Sequence, residues 1–439
     1  SDSPPYWHLG NITAVGILAA WIFSVTVLPA ALSLLPYTVK PKQGTDLSVR
    51  AMDRLADFVI RRYRTLLVAV GLPALAIVAI IPTLTFNDQW VQYFDDRIEF
   101  RVDSDNAQEH FGLYPIEYSI PAAEPGGISE PEYLENLEAF TAFLREQEHV
   151  THVYSISDIM KRLNRNMHAD NDDFYQIPDD RDLSAQYLLL YELSLPYGLD
   201  LNDRINVDKS ATRVTATVEQ ATSAETKQFF ADVEAWQQAN LPAYMHAQPT
   251  SAAVMFTYIS ERNMENMVTG TILAIAAIAV IMMFALQSIR LGTLSLVPNG
   301  LPILVTFGLW ALLVGEVGFS VATVASISLG LIVDDTVHWL SKYVRARDER
   351  LLSVEESIRY AFHNVGMPIV VNTVILAAGF FVMTTSAFKM NVDLGLMTIL
   401  SIVGALILDF LLLPALLLFG RSKEQPEIAQ DAALLPSEA

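Results

Sequence analysis

Two adjacent acids interrupt an otherwise apolar stretch, SISLGLIVDDTVHWLSKY, that begins at residue 326. In a helix, Asp334 and His338 would share one face, whereas Asp335 would point about 100° away. An ionised side chain at the bilayer centre costs about 2.5–3.5 kcal/mol on insertion scales, so such acids are expected to have a function. Because buried, neighbouring carboxyl groups can exchange protons near neutral pH, the pattern predicts a proton relay of Asp334, Asp335 and His338.

Four further polar residues are candidates for supporting this relay. Asp409, in ALILDFLLLPALL, either feeds the same pathway or pairs with His338, or it orients its helix near the inner interface, which we favour. Thr336 is expected to hydrogen-bond its own helix backbone rather than to carry protons. Asn372 and Thr373, in the next apolar stretch, could hydrogen-bond the acids. A static buried polar cluster is the alternative to a relay.

Other chemistries lack a signal in the sequence. With no cysteine, thiolate catalysis and disulfides are excluded. The acidic strings DNDDF and PDDRD lack the central Gly and terminal Glu of a Ca²⁺ loop, and no Gly-rich phosphate loop occurs. We therefore predict no catalytic residue, cofactor or metal site, and a protein that is not an enzyme.

The composition predicts a membrane protein with one large polar insertion. Of 439 residues, 52% are hydrophobic, and mean hydropathy is +0.32. Seven apolar stretches are long enough to cross a bilayer, which takes about 20 residues. They lie at about residues 12–35, 65–84, 267–286, 294–313, 321–340, 368–386 and 394–419. Because the chain starts at Ser1, with no initiator Met and no signal peptide before the first apolar stretch, we expect a fragment or a processed piece.

Basic residues predict the orientation of these spans. If each span crosses once, the bases of four separate loops lie on one side, which should be the cytoplasm. These bases are Lys40, Lys42, Arg50, Arg54, Arg61, Arg62, Arg64, Arg290, Lys342, Arg345, Arg347, Arg350, Arg421 and Lys423. Residues 85–266 contain roughly thirty acids and about twelve bases, which accounts for nearly all of the net charge of −21. This acidic segment is expected outside, and nucleic acid is a poor partner for the chain.

Alternating strand and helix patterns predict an α+β fold for the acidic segment. Strands are predicted at IEYSIPA, HVTHVYSI, ATRVTATVEQ and near residues 244–250, and helices at residues 131–147, LSAQYLLLYELS and TSAETKQFFADVEAWQQANL. Two β-α-β units of this kind indicate an antiparallel, ferredoxin-like domain.

The predicted organisation has six parts. Residues 1–36 form a first transmembrane helix, 37–64 a cytoplasmic amphipathic linker, and 65–84 a second span. Residues 85–262 form the outer α+β domain, 263–420 a five-helix bundle with a short cytoplasmic helix at 351–364, and 421–439 a cytoplasmic tail. Gly330, Gly379 and Gly404 are expected to allow close helix packing.

The two ends of the chain repeat each other. LGNITAVGILAAWIFSVTVLPAAL, from Leu9, aligns without gaps on LGLMTILSIVGALILDFLLLPALL, from Leu394. Identities include the Leu-Gly start and the Leu-Pro-Ala end, in register. The chain is therefore predicted to open on the last span of one repeat and to continue through a second, as in many transporters.

This plan resembles the resistance-nodulation-division (RND) superfamily, in particular its MMPL-like, hydrophobe-exporting branch. The resemblance rests on the Gly-x-x-Val-Asp-x-x-x-His helix, on SLVPNGLPILVTFGLWALLVG and on DLGLMTILSIVGALILDFLLLPALLLFG. It covers nearly the whole chain, as the second half of such a protein. Asp334, Asp335 and His338 fall on the family's tenth-helix motif, and Asp335 stands where many relatives carry Tyr or Ser.

The resemblance implies proton-driven export of a hydrophobic or amphiphilic, lipid-like substrate. The protein would cross the inner membrane several times and place a porter-like domain in the periplasm. Its implied partners are membrane lipids, the substrate and the first half of the transporter, with room for a homo-oligomer or a periplasmic partner. The alternatives are a Patched-like sterol or lipid sensor without proton coupling and, less favoured, an accessory of the SecD/SecF type. The acid pair favours transport.

Overall fold

The chain forms two compact units. The computed structural model describes residues 4–34, 47–87, 90–112, 114–196, 198–219 and 221–421. We call Ser1–Thr85 with Arg262–Ala439 the membrane unit, and Phe86–Glu261 the inserted unit. Part of the predicted linker, residues 37–46, and most of the predicted tail, residues 422–439, lie outside the described residues.

Helices dominate the structure. In chain order they are α1 (Pro4–Leu34), α2 (Leu47–Val78), α3 (Glu99–Phe111), α4 (Pro131–Arg145), α5 (Ile156–Met167), α6 (Arg181–Ser194), α7 (Ser223–Asn240), α8 (Ala252–Ala285), α9 (Ile289–Leu294), α10 (Leu296–Leu313), α11 (Phe319–Asp348), α12 (Val354–Ala361), α13 (Met367–Met383) and α14 (Lys389–Arg421). The strands are β1 (Thr85–Phe86), β2 (Tyr114–Pro121), β3 (Val150–Tyr154), β4 (Ala211–Val218), β5 (Pro249–Thr250) and β6 (Glu316–Val317).

Within the described residues, seven helical segments are long and apolar enough to cross a membrane. Each corresponds to one of the seven predicted spans. The described part of the predicted linker is continuous with the second span in α2, whose backbone leaves helical geometry at Arg62 (φ −115°, ψ 16°). A π-helical turn, Phe362–Gly366, joins α12 to α13. Ser353 caps α12 in a capping box with Glu356, as the spacing Ser-x-x-Glu indicates.

Helix α14 is the centre of the membrane unit and packs against α2, α10, α11 and α13. The most apolar stretch of α14 has a mean hydropathy of 2.6, and 56% of that stretch is buried, as expected for a helix that is apolar on all sides. Ile303, Leu329 and Ile332 belong to one apolar cluster of this bundle. Trp339 and Phe410 belong to a second, larger cluster.

Close helix approach occurs at glycines other than those predicted. A Cβ at Gly308 would overlap the backbone carbonyl of Ile77, so α10 lies directly against α2 there. A Cβ at Gly330 or Gly379 would have no neighbour within 4 Å among the described residues, and one at Gly404 would only reach Pro302, at 4.0 Å. The prediction for these three glycines is therefore wrong within the described structure. Sequence spacing did not reveal which helix faces meet.

One end of the membrane unit is strongly basic. Arg359 Nε lies 2.8 Å from Asp57 Oδ1, and His363 Nδ1 lies 3.1 Å from Asp53 Oδ1, so α2 and α12 meet at this end. A cavity joins the neighbouring ends of α8, α9, α11 and α14. Bases cluster along these segments, namely Arg50, Arg54, Arg61, Arg62, Arg64, Arg290, Lys342, Arg345, Arg347, Arg350 and Arg359. At the opposite end, the Thr85 backbone N–H donates to the Gly315 carbonyl oxygen, at 3.0 Å.

The inserted unit contains a four-stranded antiparallel sheet in the order β3-β4-β2-β5. Helices α4 and α7 connect β2 to β3 and β4 to β5, which gives two β-α-β connections. Side chains alternate along β4, so Val214 and Ala216 join Leu137 and Phe140 of α4 in the core. The buried hydroxyl of Tyr133 donates to the Ile120 carbonyl oxygen, at 2.8 Å, and ties α4 to β2.

Two helices of this unit were not predicted. Helix α5 begins after Ser155, whose side chain accepts a hydrogen bond from the Ser157 backbone N–H, and it buries Ile156 and Met160. This cap and apolar spacing are present in the sequence, but Ser155 and Ile156 were assigned to the end of the predicted strand HVTHVYSI. Helix α3 is mostly polar and buries only Ser104, so it has no apolar period from which to predict it.

We expect Gly308→Ala to destabilise the membrane unit because the new methyl group overlaps a backbone carbonyl, which cannot rotate away. Overpacking of this kind costs about 1–3 kcal/mol. The unfolding midpoint in detergent measures the effect. Gly379→Ala, in α13, is the matched control and should leave the midpoint near that of the wild type. Equal midpoints for the two variants would contradict the close contact between α2 and α10.

Glu138 should make the inserted unit sensitive to acid. Burial opposes its ionisation, but hydrogen bonds from Lys161 and Ser157 and the charges of Lys161 and Arg145 outweigh this and lower the pKa of Glu138. Because the folded-state pKa is below the unfolded one, the stabilisation is complete above about pH 4.3 and is lost as the pH falls through the lowered folded value.

We therefore expect Glu138→Gln to increase hydrogen exchange in α4 and α5 at pH 7, and the difference from the wild type to shrink as the pH falls below about 4. Glu135→Gln, at an exposed position of the same helix, is the control. A difference that does not change with pH would rule out a contribution from Glu138 ionisation.

Candidate functional site

Helix α11 carries the two adjacent acids on different faces. The side chain of Asp334 is 61% exposed and that of His338 is 62% exposed, with Asp334 Oδ1 and His338 Nε2 3.4 Å apart. Asp335 is 7% exposed and therefore faces the interior of the bundle. The structure thus brings Asp334 and His338 together, as their spacing predicted, on a surface that the described residues leave open.

Asp335 is held by the neighbouring helix α13. Asn372 Nδ2 donates a hydrogen bond to Asp335 Oδ1, at 3.2 Å. This contact is the predicted one. Thr373, the other residue proposed to bond the acids, donates instead to the Ile369 carbonyl oxygen of its own helix, at 3.0 Å. Asn372 is therefore the residue of α13 that binds Asp335 in the described structure.

A second buried contact joins α11 to α14. Thr336 Oγ1 lies 3.0 Å from Asp409 Oδ1 and 3.2 Å from Oδ2, and both residues are fully buried. Thr336 also lies 3.5 Å from the Ile332 carbonyl oxygen, so the predicted backbone bond is present but is the longer contact. Asp409 does not pair with His338, since it faces the buried side of α11. It also lies about 18 Å along α14 from Arg421, away from the helix end.

Several buried polar side chains of the bundle were missed from the sequence. Ser401 Oγ donates to Thr306 Oγ1, at 3.1 Å, between α14 and α10. The amide group of Asn299, on α10, is 1% exposed and has no hydrogen-bond partner among the described residues. Asn299 lies between Pro298 and Pro302, and α10 runs through both prolines, with the break between α9 and α10 at Ser295. Single serines and threonines in apolar stretches are too common to predict such contacts.

The fold and this site define a class of protein: a multi-pass membrane protein with an α+β unit inserted between two spans and acids inside its helical bundle. The family model described as the MMPL family matches residues 141–433. The chain belongs to the MMPL family, which confirms the membership that the resemblance predicted.

Two known proteins illustrate this relationship. The hopanoid transporter HpnN of Burkholderia multivorans (strain ATCC 17616 / 249) is 31% identical over 148 residues, which are 33% of this chain and 16% of that protein. The cryo-EM structure of the hedgehog release protein Disp from the water bear Hypsibius dujardini superposes with a TM-score of 0.54 at 16% sequence identity. That superposition covers 92% of this chain and 54% of the other, and it establishes similarity of fold alone.

The contact between Asn372 and Asp335 can be measured as a coupling energy. We expect Asn372→Leu to destabilise the membrane unit by about 1–3 kcal/mol because a buried carboxyl group loses its partner. Adding Asp335→Leu should recover much of this loss, since no polar group then remains unpaired. Unfolding midpoints of the two single variants and the double variant close the cycle. His338→Ala, at an exposed position, should change the midpoint little, and strict additivity of the two substitutions would argue against the contact.

Proposed function

We propose that this chain is part of a transporter that uses the proton gradient to export a hydrophobic or amphiphilic, lipid-like substrate. The observation that carries the proposal is the placement of two acids in α11 of an MMPL-family bundle, one buried against Asn372 and one on an open face. Acids inside a membrane bundle are costly and usually functional.

In this mechanism, protons enter from the outer side and neutralise Asp334 and Asp335. Loss of charge in a low dielectric changes which packing of α11 is favoured, and release of the protons to the cytoplasm restores the first state. His338, 3.4 Å from Asp334, can exchange a proton with that acid. Asn372 positions Asp335.

A lipid-like substrate is supported by the matched relative, which is a hopanoid transporter. The apolar character of the spans agrees with a path for such molecules. Because the aligned region is 16% of that protein, the substrate is proposed here as a chemical class and not as a particular hopanoid.

The orientation follows from the basic end of the membrane unit, which we place in the cytoplasm. The chain leaves this unit at Thr85, at the opposite end. The inserted unit, with its excess of acids, is therefore proposed to be a porter-like domain in the periplasm of a cell with an inner membrane. Its two β-α-β connections and sheet order support a ferredoxin-like fold.

A preceding half is the proposed partner of the open α11 face. None of the most apolar stretch of α1 is buried against the described residues, although α1 resembles α14, which together with α11 is one of the two most enclosed spans. Asp334 and His338 would then meet the helices of that half and not lipid. This arrangement is also the reason to expect that both halves are needed for the relay.

The test is proton flux in vesicles that contain the complete protein, a pH-sensitive dye and a purified hopanoid as the probe. We expect hopanoid-dependent proton movement that Asp334→Asn and Asp335→Asn each reduce to the background leak, because neither amide can carry a proton. Glu349→Gln, at the exposed cytoplasmic end of α11, is the control and should transport like the wild type.

Circular dichroism and expression level must match the wild type for these results to count. Wild-type flux in Asp334→Asn would refute its role as a relay residue. Hopanoid binding without any proton movement in the wild-type protein would favour the lipid sensor.

A further inference from the structure

The contact between Thr336 and Asp409 lies inside the bundle, between two clusters of apolar side chains. On the outer side it is bounded by the cluster that contains Ile332, and on the inner side by the cluster that contains Trp339 and Phe410. Asp409 faces away from the open surface that carries Asp334. A fully buried acid with one hydroxyl partner, enclosed by apolar side chains, has no evident structural use that an apolar residue would not serve better.

The geometry of the threonine suits both protonation states of the acid. A hydroxyl group has one proton to donate and lone pairs with which to accept. When Asp409 is ionised, Thr336 can donate to it across 3.0 Å. When Asp409 is protonated, its O–H can donate to Thr336, whose own proton turns to the Ile332 carbonyl oxygen, 3.5 Å away. Neither state leaves the hydroxyl without a partner.

A large cavity lies two helical turns inward from this contact. Its volume is about 890 Å³, and its walls include Tyr343, Val344, Leu416 and Leu417, at the basic end of the membrane unit. Tyr343 follows Thr336 by seven residues, and Leu416 follows Asp409 by seven. Seven residues are about 10.5 Å along a helix and return to nearly the same face, so the cavity continues the line of the Thr336–Asp409 contact.

Aromatic rings separate the cavity from the acid, and one polar atom lies among them. Trp339 stacks on Tyr343 with ring centroids 6.0 Å apart and meets Phe362 edge-on at 5.9 Å, and Phe362 packs on Phe410 at 5.2 Å. The indole N–H of Trp339 is fully buried and has no hydrogen-bond partner among the described residues. A buried donor without a partner is costly, and a water molecule that enters from the cavity would relieve that cost.

The ionisable residue that interacts electrostatically with Asp409 is Asp335, on α11. Helices α10 and α13, which pack against α14, contain no ionisable residue. The other packed elements are α11, α2, α12, the π-helical turn after α12 and the far start of α14. Their ionisable residues are Asp334, His338, Lys342, Tyr343, Arg345, Arg347, Asp348, Arg50, Asp53, Arg54, Asp57, Arg61, Arg62, Tyr63, Arg64, Glu355, Glu356, Arg359, Tyr360, His363, Lys389 and Asp393.

We propose that Asp409 is a further proton-exchange site of this bundle, positioned by Thr336 and reached from the cytoplasm through the cavity and the Trp339 ring cluster. In each exchange, the O–H bond of Asp409 breaks and the proton passes to water in the cavity, or the reverse occurs. No other bond changes. This inference rests on the proposed function, because it adds an inner step to the same proton pathway.

Infrared difference spectra of the complete protein between acidic and alkaline pH test the site directly. We expect the carbonyl band of a protonated carboxylic acid to lose one component in Asp409→Asn. Thr336→Val should shift that component, whereas Thr336→Ser, which keeps the hydroxyl, should restore it. Thr373→Val removes a buried hydroxyl that bonds only its own helix in the described structure, and should leave the band unchanged. An Asp409→Asn spectrum identical to that of the wild type would overturn the proposal.

Access through the cavity is tested with single cysteines, which the chain lacks. We expect Val344→Cys and Leu416→Cys to react with a membrane-impermeant thiol reagent added on the cytoplasmic side of vesicles. The bound reagent should slow appearance of the Asp409 band after a cytoplasmic pH jump by about tenfold or more. Reaction from the outer side alone, or an unchanged rate after labelling, would overturn the proposed route.

The two proposals fail in different ways. If the Asp409 component is absent while Asp335→Asn still abolishes hopanoid-dependent proton flux, the further site is wrong and the proposed function stands. If the wild-type protein moves no protons with hopanoid while the Asp409 component is present and sensitive to Thr336→Val, the proposed function is wrong, and Asp409 is a titrating group without a transport role.

Discussion

The central constraint on this molecule is the cost of keeping carboxyl groups inside an apolar helical bundle. Each acid needs a hydrogen-bond partner or a protonated state, because an unpaired charge in a low dielectric is strongly unfavourable. The bundle meets this requirement in two separate ways. Asp335 receives an amide donor from α13, and Asp409 receives a hydroxyl from α11. From two neighbouring faces, helix α11 therefore supplies an acid, Asp335, to α13 and a hydrogen-bond partner, Thr336, to α14.

This arrangement makes α11 the element on which changes of charge would act. It contacts α10, α12 and α14, and its inner half contributes Trp339 and Tyr343 to the aromatic cluster. A proton gained at Asp335 would remove the negative charge that α11 presents to α13. A proton gained at Asp409, on α14, would make Thr336 of α11 the acceptor of their hydrogen bond instead of the donor. Because packed interiors switch between discrete arrangements and do not deform smoothly, such local changes can move the helix as a unit. Gly308, where α10 touches the α2 backbone, keeps α10 and α2 close together at that point.

Much of the fold could be predicted from sequence because its signals are local. Twenty apolar residues in a row identify a span, Ser353 with Glu356 identifies a helix start, and alternation in ATRVTATVEQ identifies a strand. The contact of Asp334 with His338 follows equally from their spacing. Contacts between elements could not be predicted from local signals in this way. The glycines expected at helix contacts were the wrong ones, and the Thr336–Asp409 contact, 73 residues apart, has no local signature. Polar helices such as α3 also lack the periodicity on which prediction relies.

The roles predicted for the acids also reflect this limit. The sequence placed Asp334 and Asp335 in a relay and favoured an orienting role for Asp409. In the structure, the acid with the most enclosed environment is Asp409, and Asp334 has the most open one. The described contact of Asp334 is with His338, on the same open face of α11. An enclosed acid is already complete in its contacts. The two acids therefore differ in what can change their surroundings: further contacts can still form at Asp334, whereas the contacts of Asp409 lie within this bundle.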